Sequence, residues 1–151
     1  MIYITSYLNY MKYLGIDYGI KRVGFAESDG EGKLAFPMMI NENNKDLLRD
    51  TLEIIRACNI DLVVIGLSLN QKGEENKVAE KVKEFGDSLM ENNIKVAYEK
   101  EWFTTVEARK QPEAKRDVDD AAAALILQRY LDKINPKIYK EEDEIIEEEN
   151  D

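Results

Sequence analysis

The stretch "LVVIG", Leu62–Gly66, sets the terms for the fold. Five residues run without a polar alternation, and three are β-branched, which is the pattern of a parallel strand covered on both faces. Such a strand needs helices to cover it, and the flanking sequence supplies them. The segment "NKDLLRDTLEIIRACN" carries apolar residues at 47, 48, 52, 54, 55 and 58, and residues 75–92 carry Val78, Val82, Phe85 and Leu89 at helical spacing. "KVAYEKE", Lys95–Glu101, reads as a second strand of the same kind, and "DVDDAAAALILQRYLDK" as a last helix.

The front of the chain is built differently. Lys12–Tyr18 reads as a strand, Gly19 as a turn and Arg22–Ser28 as the returning strand. "DGEGK" is a strong turn signal, so Leu34–Ile40 is expected to form a hairpin with the strand before it. The expected fold class is α/β: a mixed five-stranded sheet, three-stranded hairpin half plus βαβα half, with helices on both faces. Ligands of such sheets gather at the carboxyl ends of the parallel strands. Between the last strand and last helix, Thr104 and Glu107 have capping-box spacing for a short helix, and "RKQPEAKR" is a basic loop.

Composition narrows the chemistry. There is no histidine, which excludes Ser-His and Cys-His nucleophilic schemes and histidine general-base catalysis. The one cysteine, Cys58, lies in an apolar helical pattern and reads as a structural thiol; a disulfide within the chain is impossible, which fits a reducing cytoplasm. No apolar run approaches the ~20 residues of a membrane helix. Residues 1–10 lack signal-peptide features and read as an N-terminal extension, or as lying before a translation start at Met11, where the domain is expected to begin; N-terminal mass spectrometry tests which. The domain is expected over 11–135, with residues 136–151 an acidic tail. The net charge of −10 is uneven: residues 141–151 hold eight acidic and no basic residues, so the body is nearly balanced. That tail reads as a solvated segment, with a nucleic-acid mimic as the sharper alternative.

Asp17 breaks the apolar run of the first strand. It falls at that strand's carboxyl end, where a carboxylate is costly to bury. Glu99 and Glu101 end the last strand, two apart and so on one face. Asp119 and Asp120 open the last helix; Asp119 shares the row of Ala122, Ala123, Ile126 and Tyr130, while Asp120, Ala124 and Gln128 are expected to point elsewhere. Three elements thus bring acid to one sheet edge. Converging carboxylates call for a cation, and magnesium takes a few carboxylates plus water and phosphate. A pair of such ions cleaves phosphodiesters without histidine. Spacing leaves Glu99 and Glu101 open as alternatives. Basic residues lie close by: Arg109, Lys110, Lys115 and Arg116 in the loop, and Lys21 and Arg22 after the first strand, all candidates for gripping phosphate.

Together, "LGIDYGIKRVGFA", "VVIGLSLNQKGEE", "EWFTTVEA" and "VDDAAAALIL" resemble the YqgF/RuvX family, over Lys12 to about Leu131. The resemblance implies a ribonuclease H-like fold and a nuclease that is a candidate either for maturing the 5′ end of pre-16S ribosomal RNA, the favoured reading, or for resolving Holliday junctions in branched DNA. It implies Asp17, Glu101 and Asp119 as catalytic and metal-binding residues, with Mg2+ or Mn2+ as cofactor and two ions expected. Gly19, Asn70, Gly73 and Asp120 are expected to line the cleft. A pre-ribosomal particle is an implied partner, no membrane is, and the protein is expected to be a monomer or homodimer. Where the family commonly has arginine after the glutamate, this chain has Trp102, which can stack on a base. Two rival readings are a nucleotide phosphotransferase, since "DYGIKRVG" also resembles a phosphate loop of the actin and sugar-kinase group, and a non-catalytic nucleic-acid-binding module with a decayed site.

Overall fold

The computed structural model describes residues 11–70, 72–102 and 119–135. Five strands, β1 (Tyr13–Tyr18), β2 (Arg22–Ser28), β3 (Ala35–Glu42), β4 (Leu62–Leu69) and β5 (Val96–Trp102), form one sheet in the order β3-β2-β1-β4-β5. β1, β2 and β3 pair antiparallel, while β1–β4 and β4–β5 pair parallel. The described helices are α1 (Leu47–Ala57), α2 (Lys77–Glu91) and α3 (Asp119–Ile134). The expected mixed sheet is present, with its hairpin half and its wound half. None of the described helices is long and apolar enough to cross a membrane.

Strand alternation divides the core into two layers. On one face Leu14 and Ile16 of β1, Val23 and Phe25 of β2, and Val63, Ile65 and Leu67 of β4 pack against Leu47 and Ile55 of α1 and Val82, Phe85 and Leu89 of α2. On the other, Tyr13, Ala26 and Val64 pack against Ala123, Ile126, Leu127 and Leu131 of α3. Each valine, leucine, isoleucine or phenylalanine among them contributes roughly 1.5–3 kcal/mol through burial. The helix ends are locally specified. Asn76 caps α2 by accepting from the Ala79 N–H (2.9 Å). Asn59 and Asn93, with φ of 55° and 64°, close α1 and α2 in the left-handed conformation that asparagine tolerates.

Two expectations about element bounds are corrected. β4 runs three residues beyond Gly66, because Leu67 and Leu69 keep burying the α1–α2 face and Ser68 pairs with Glu101. β3 runs on to Glu42, since Asn41 and Glu42 still pair with Val23 and Arg22 on this edge strand. The buried stripe of α3 is also turned from the expected one. It centres on Ala123, Ile126, Leu127 and Leu131, with Ala122 and Tyr130 only half-buried. Ala124 packs against the same layer, and Gln128 accepts from the Ala35 N–H (3.0 Å) and donates to the Lys33 carbonyl (2.9 Å), tying the helix to the start of β3.

Candidate active site

Asp17 lies on the α3 face of β1. Leu14 and Ile16 take the opposite face and are fully buried, so alternation leaves Tyr13, Gly15 and Asp17 toward α3. On β5, Val96 and Tyr98 pack toward α1 and α2, which turns Ala97, Glu99 and Glu101 to the α3 face. The register levels the acids. Ile16 pairs with Ile65, so Asp17 stands one step further on, level with Gly66; Gly66 in turn pairs with Glu99, and Ser68 with Glu101. Gly66 therefore stands between the acidic positions of β1 and β5 and has no side chain to fill the gap. A Cβ there would sit 2.6 Å from Ile126 Cδ1.

Helix α3 runs antiparallel to these strands. Tyr13 meets Tyr130 (ring centroids 6.0 Å apart), Gly15 lies under Ala123 and Leu127, and further along the strand direction the contacts move to earlier helix residues. Two strand residues span ~6.6 Å, which is about four to five helix residues. The level of Asp17 therefore falls at the first turn of α3, where Asp119 and Asp120 stand. The helix row of Ile126, Arg129 and Lys133 faces β4 and β5, because Ile126 covers Gly66, Arg129 binds Glu101 and Lys133 binds Glu99.

The acids of β5 differ in their surroundings. The Glu99 side chain is 4% exposed and pairs with Lys133. The Glu101 side chain is 21% exposed and accepts from Arg129 Nη1 at 2.6 Å. Burial pushes the Glu101 carboxyl above its ordinary value, the Arg129 guanidinium pulls it down, and the Asp17 and Glu99 carboxylates push it up again. Asp17 and Glu101 thus belong to one electrostatic site across β4. Among the described residues no group of three potential ligands is gathered closely enough to hold a metal ion. Asp17, Glu99 and Glu101 are the carboxylates that the described strands turn to this face. The donors are oxygens of carboxylates, which fit a hard divalent cation and suit zinc or copper poorly.

The other expected residues divide by element. Gly19 makes the tight end of β1: its N–H donates to the Arg22 carbonyl (2.9 Å), its carbonyl accepts from Asn43 Nδ2 (2.8 Å), and a Cβ there would lie 2.4 Å from the Arg22 oxygen. Lys21 and Arg22 are exposed at this tip. Asn70 and Gly73 build the loop after β4. Asn70 Oδ1 accepts from the Lys72 and Glu74 N–H groups (3.0 and 2.8 Å), and Gly73 takes φ 76°. Cys58 caps the end of α1 and is half-buried. Arg109, Lys110, Lys115, Arg116 and the short helix expected near Thr104 lie outside the described residues.

Arg129 and Lys133 were not foreseen. A signal for them exists: acids two apart on a strand are ~6.6 Å apart, and residues four apart on a helix ~6 Å, so Glu99/Glu101 match Lys133/Arg129 on an antiparallel helix.

A sheet ordered β3-β2-β1-β4-β5, with acids at the carboxyl ends of β1 and β5 and a helix opening over them, is the architecture of ribonuclease H-like nucleases. Solved structures share it. RuvC of Thermus thermophilus in complex with a Holliday junction substrate aligns at a TM-score of 0.52 and 14% identity, covering 82% of this chain and 94% of that one. The fowlpox virus Holliday junction resolvase aligns at 0.52 and 16%, covering 82% and 99%. At these identities the likeness speaks for the fold. The family model described as "RuvX: Holliday junction resolvase" matches residues 11–133, and the chain belongs to that family. Among curated relatives, proteins named "Putative pre-16S rRNA nuclease" from Sulfurihydrogenibium sp. (strain YO3AOP1) and Streptococcus thermophilus (strain ATCC BAA-491 / LMD-9) are 34% and 37% identical. The alignments cover 81% and 82% of this chain and 90% and 99% of those proteins.

Proposed function

We propose that the protein is a divalent-metal-dependent endonuclease that hydrolyses nucleic-acid phosphodiester bonds and matures the 5′ end of pre-16S ribosomal RNA. The observation that carries this reading is the coupling of Asp17 and Glu101 across the Gly66 gap, level with the helix start that bears Asp119. Asp17, Glu101 and Asp119 would hold Mg2+ or Mn2+, as a pair of ions. Bound there, the metal would supply an activated water and stabilise the leaving oxygen. The protein's own contribution is placement. Asp17 is held by a strand whose neighbouring side chains are fully buried, and the raised carboxyl of Glu101 gains by meeting a cation. Lys21 and Arg22, exposed beside the carboxyl end of β1, would grip phosphates, as would the basic residues 109, 110, 115 and 116. The relatives' names carry pre-16S rRNA as the substrate, and a pre-ribosomal particle in the cytoplasm is the setting proposed with it.

The second reading, resolution of branched DNA, draws on the family description. One experiment decides. The protein is incubated at low salt with Mg2+ or Mn2+ and either a labelled pre-16S 5′-leader RNA or a four-way DNA junction, with Asp17→Asn alongside. Metal-dependent cleavage of the RNA, lost in the variant, supports the proposal. Cleavage of the junction alone transfers the function to DNA. Cleavage of neither, or equal cleavage by the variant, leaves a binding module on a nuclease fold.

A further inference from the structure

The two cations that α3 lays over the acids of β5 are not equivalent. Lys133 meets a carboxylate that is 4% exposed, so on the acid's side this pair is shut off from water. Arg129 meets Glu101 from a largely solvated position: its side chain is 58% exposed, and Glu101 itself is 21% exposed. Glu101 also stands nearer the strand end than Glu99 and within the field of Asp17. A guanidinium in that position neutralises the same carboxylate that the proposed metal needs. Both cations are solvated and the acids set the difference: a partly exposed carboxylate can exchange its cation for another at little cost, whereas a carboxylate shut off from water cannot.

We propose that Arg129 is a displaceable counter-ion of the metal site: it holds Glu101 while the site lacks its cation, competes with the divalent ion for that carboxylate, and so sets the metal concentration at which the site fills. Lys133 has no such role, because it keeps Glu99 in place as a structural acid. This rests on Asp17 and Glu101 being metal ligands. It adds to that reading a residue on α3 that tunes the affinity without being a ligand. Arginine suits the task because its charge is permanent and its long side chain can swing into solvent.

The test is titration of the full-length protein with Mn2+ alone, followed by calorimetry, without any nucleic acid. Wild type should bind and Asp17→Asn should not. Arg129→Gln should bind about threefold to tenfold more tightly than wild type, since it removes both a competitor and a like charge. Arg129→Lys, which keeps the charge, should stay near wild type. In a Glu101→Gln background, Arg129→Gln should gain clearly less, because only the like-charge part of the effect is left, and the difference measures the competition for that carboxylate. Affinity in Arg129→Gln that equals or falls below wild type overturns the proposal, as does a gain that is just as large without Glu101. Equal binding by wild type and Asp17→Asn would instead overturn the metal-site reading on which it stands.

Discussion

Gly15 is the position where the fold places the site, and Gly15→Ala tests this. A Cβ at residue 15 would lie 2.7 Å from Leu127 Cβ and 2.8 Å from the Ala123 carbonyl oxygen. Both fall short of ordinary contact at 3.4 Å by about 0.6–0.7 Å. Neither atom can rotate away: one is backbone and the other is the first atom of a buried side chain. Helix α3 must therefore retreat from β1. Overpacking of this kind costs ~1–3 kcal/mol, reduced by the ~0.5 kcal/mol that alanine gains over glycine in a strand. For a domain of this size a net loss near ~1.5 kcal/mol lowers the melting temperature by ~4–8 °C. Gly66→Ala is the control. Its Cβ would meet Ile126 Cδ1 at 2.6 Å and Cγ1 at 3.2 Å, atoms further out on a side chain that can re-rotamer, so the loss should be about half as large. Melting is followed by circular dichroism at the helix band. A Gly15→Ala shift under ~2 °C, or a larger loss for Gly66→Ala, would refute the close approach of α3 to β1.

Asp17→Asn and Glu101→Gln should each reduce metal-dependent cleavage by ~10³-fold or more while circular dichroism stays unchanged; activity within tenfold of wild type would remove either residue from the site. The raised carboxyl of Glu101 also fixes a sign for stability. An acid whose folded value lies above its unfolded one contributes stability below the unfolded value and loses it as pH rises through the folded value. Glu101→Gln should therefore melt higher than wild type at pH 7 without metal, and the difference should close as pH falls below the ordinary carboxylate range. A lower melting temperature at pH 7 would mean that the Arg129 pair outweighs burial.

Much of the sheet was legible because its signals are local. The turn at 29–33 and the apolar runs at 14–16 and 62–65 need only neighbouring residues to be read, and β2 was bounded to the residue. What escaped was set by contacts across the fold. Gly66 reads as the end of a strand, yet it lies inside β4, clearing space for Ile126. The stripe of α3 read from spacing alone favoured Ala122, whereas contact with the sheet selected Leu127 and Leu131. Spacing left Glu99 and Glu101 open, since alternation puts both on one face; the resemblance implied Glu101, and in the structure their exposure and their partners on α3 set them apart. Arg129 and Lys133 were silent because cations late in a helix ordinarily face water and favour the helix dipole.

The pair formed by Glu99 and Lys133 makes a claim about which of the two matters more to the fold. Removing one partner of a buried pair costs most when the survivor stays buried and charged. Here burial is one-sided: Glu99 is 4% exposed and Lys133 is 65% exposed. After Lys133→Gln the carboxylate is left out of water without its cation and beside the Glu101 charge, and the expected loss is ~3–5 kcal/mol. After Glu99→Gln the ammonium swings into water, where it needs no partner, and a neutral amide occupies the acid's place; the expected loss is ~1 kcal/mol. Urea unfolding of the two variants without metal measures the difference directly, since the midpoint scales with stability at constant slope. Equal losses, or a greater loss for Glu99→Gln, would mean that Glu99 is not held as a buried anion, and the structural distinction between it and Glu101 would fall.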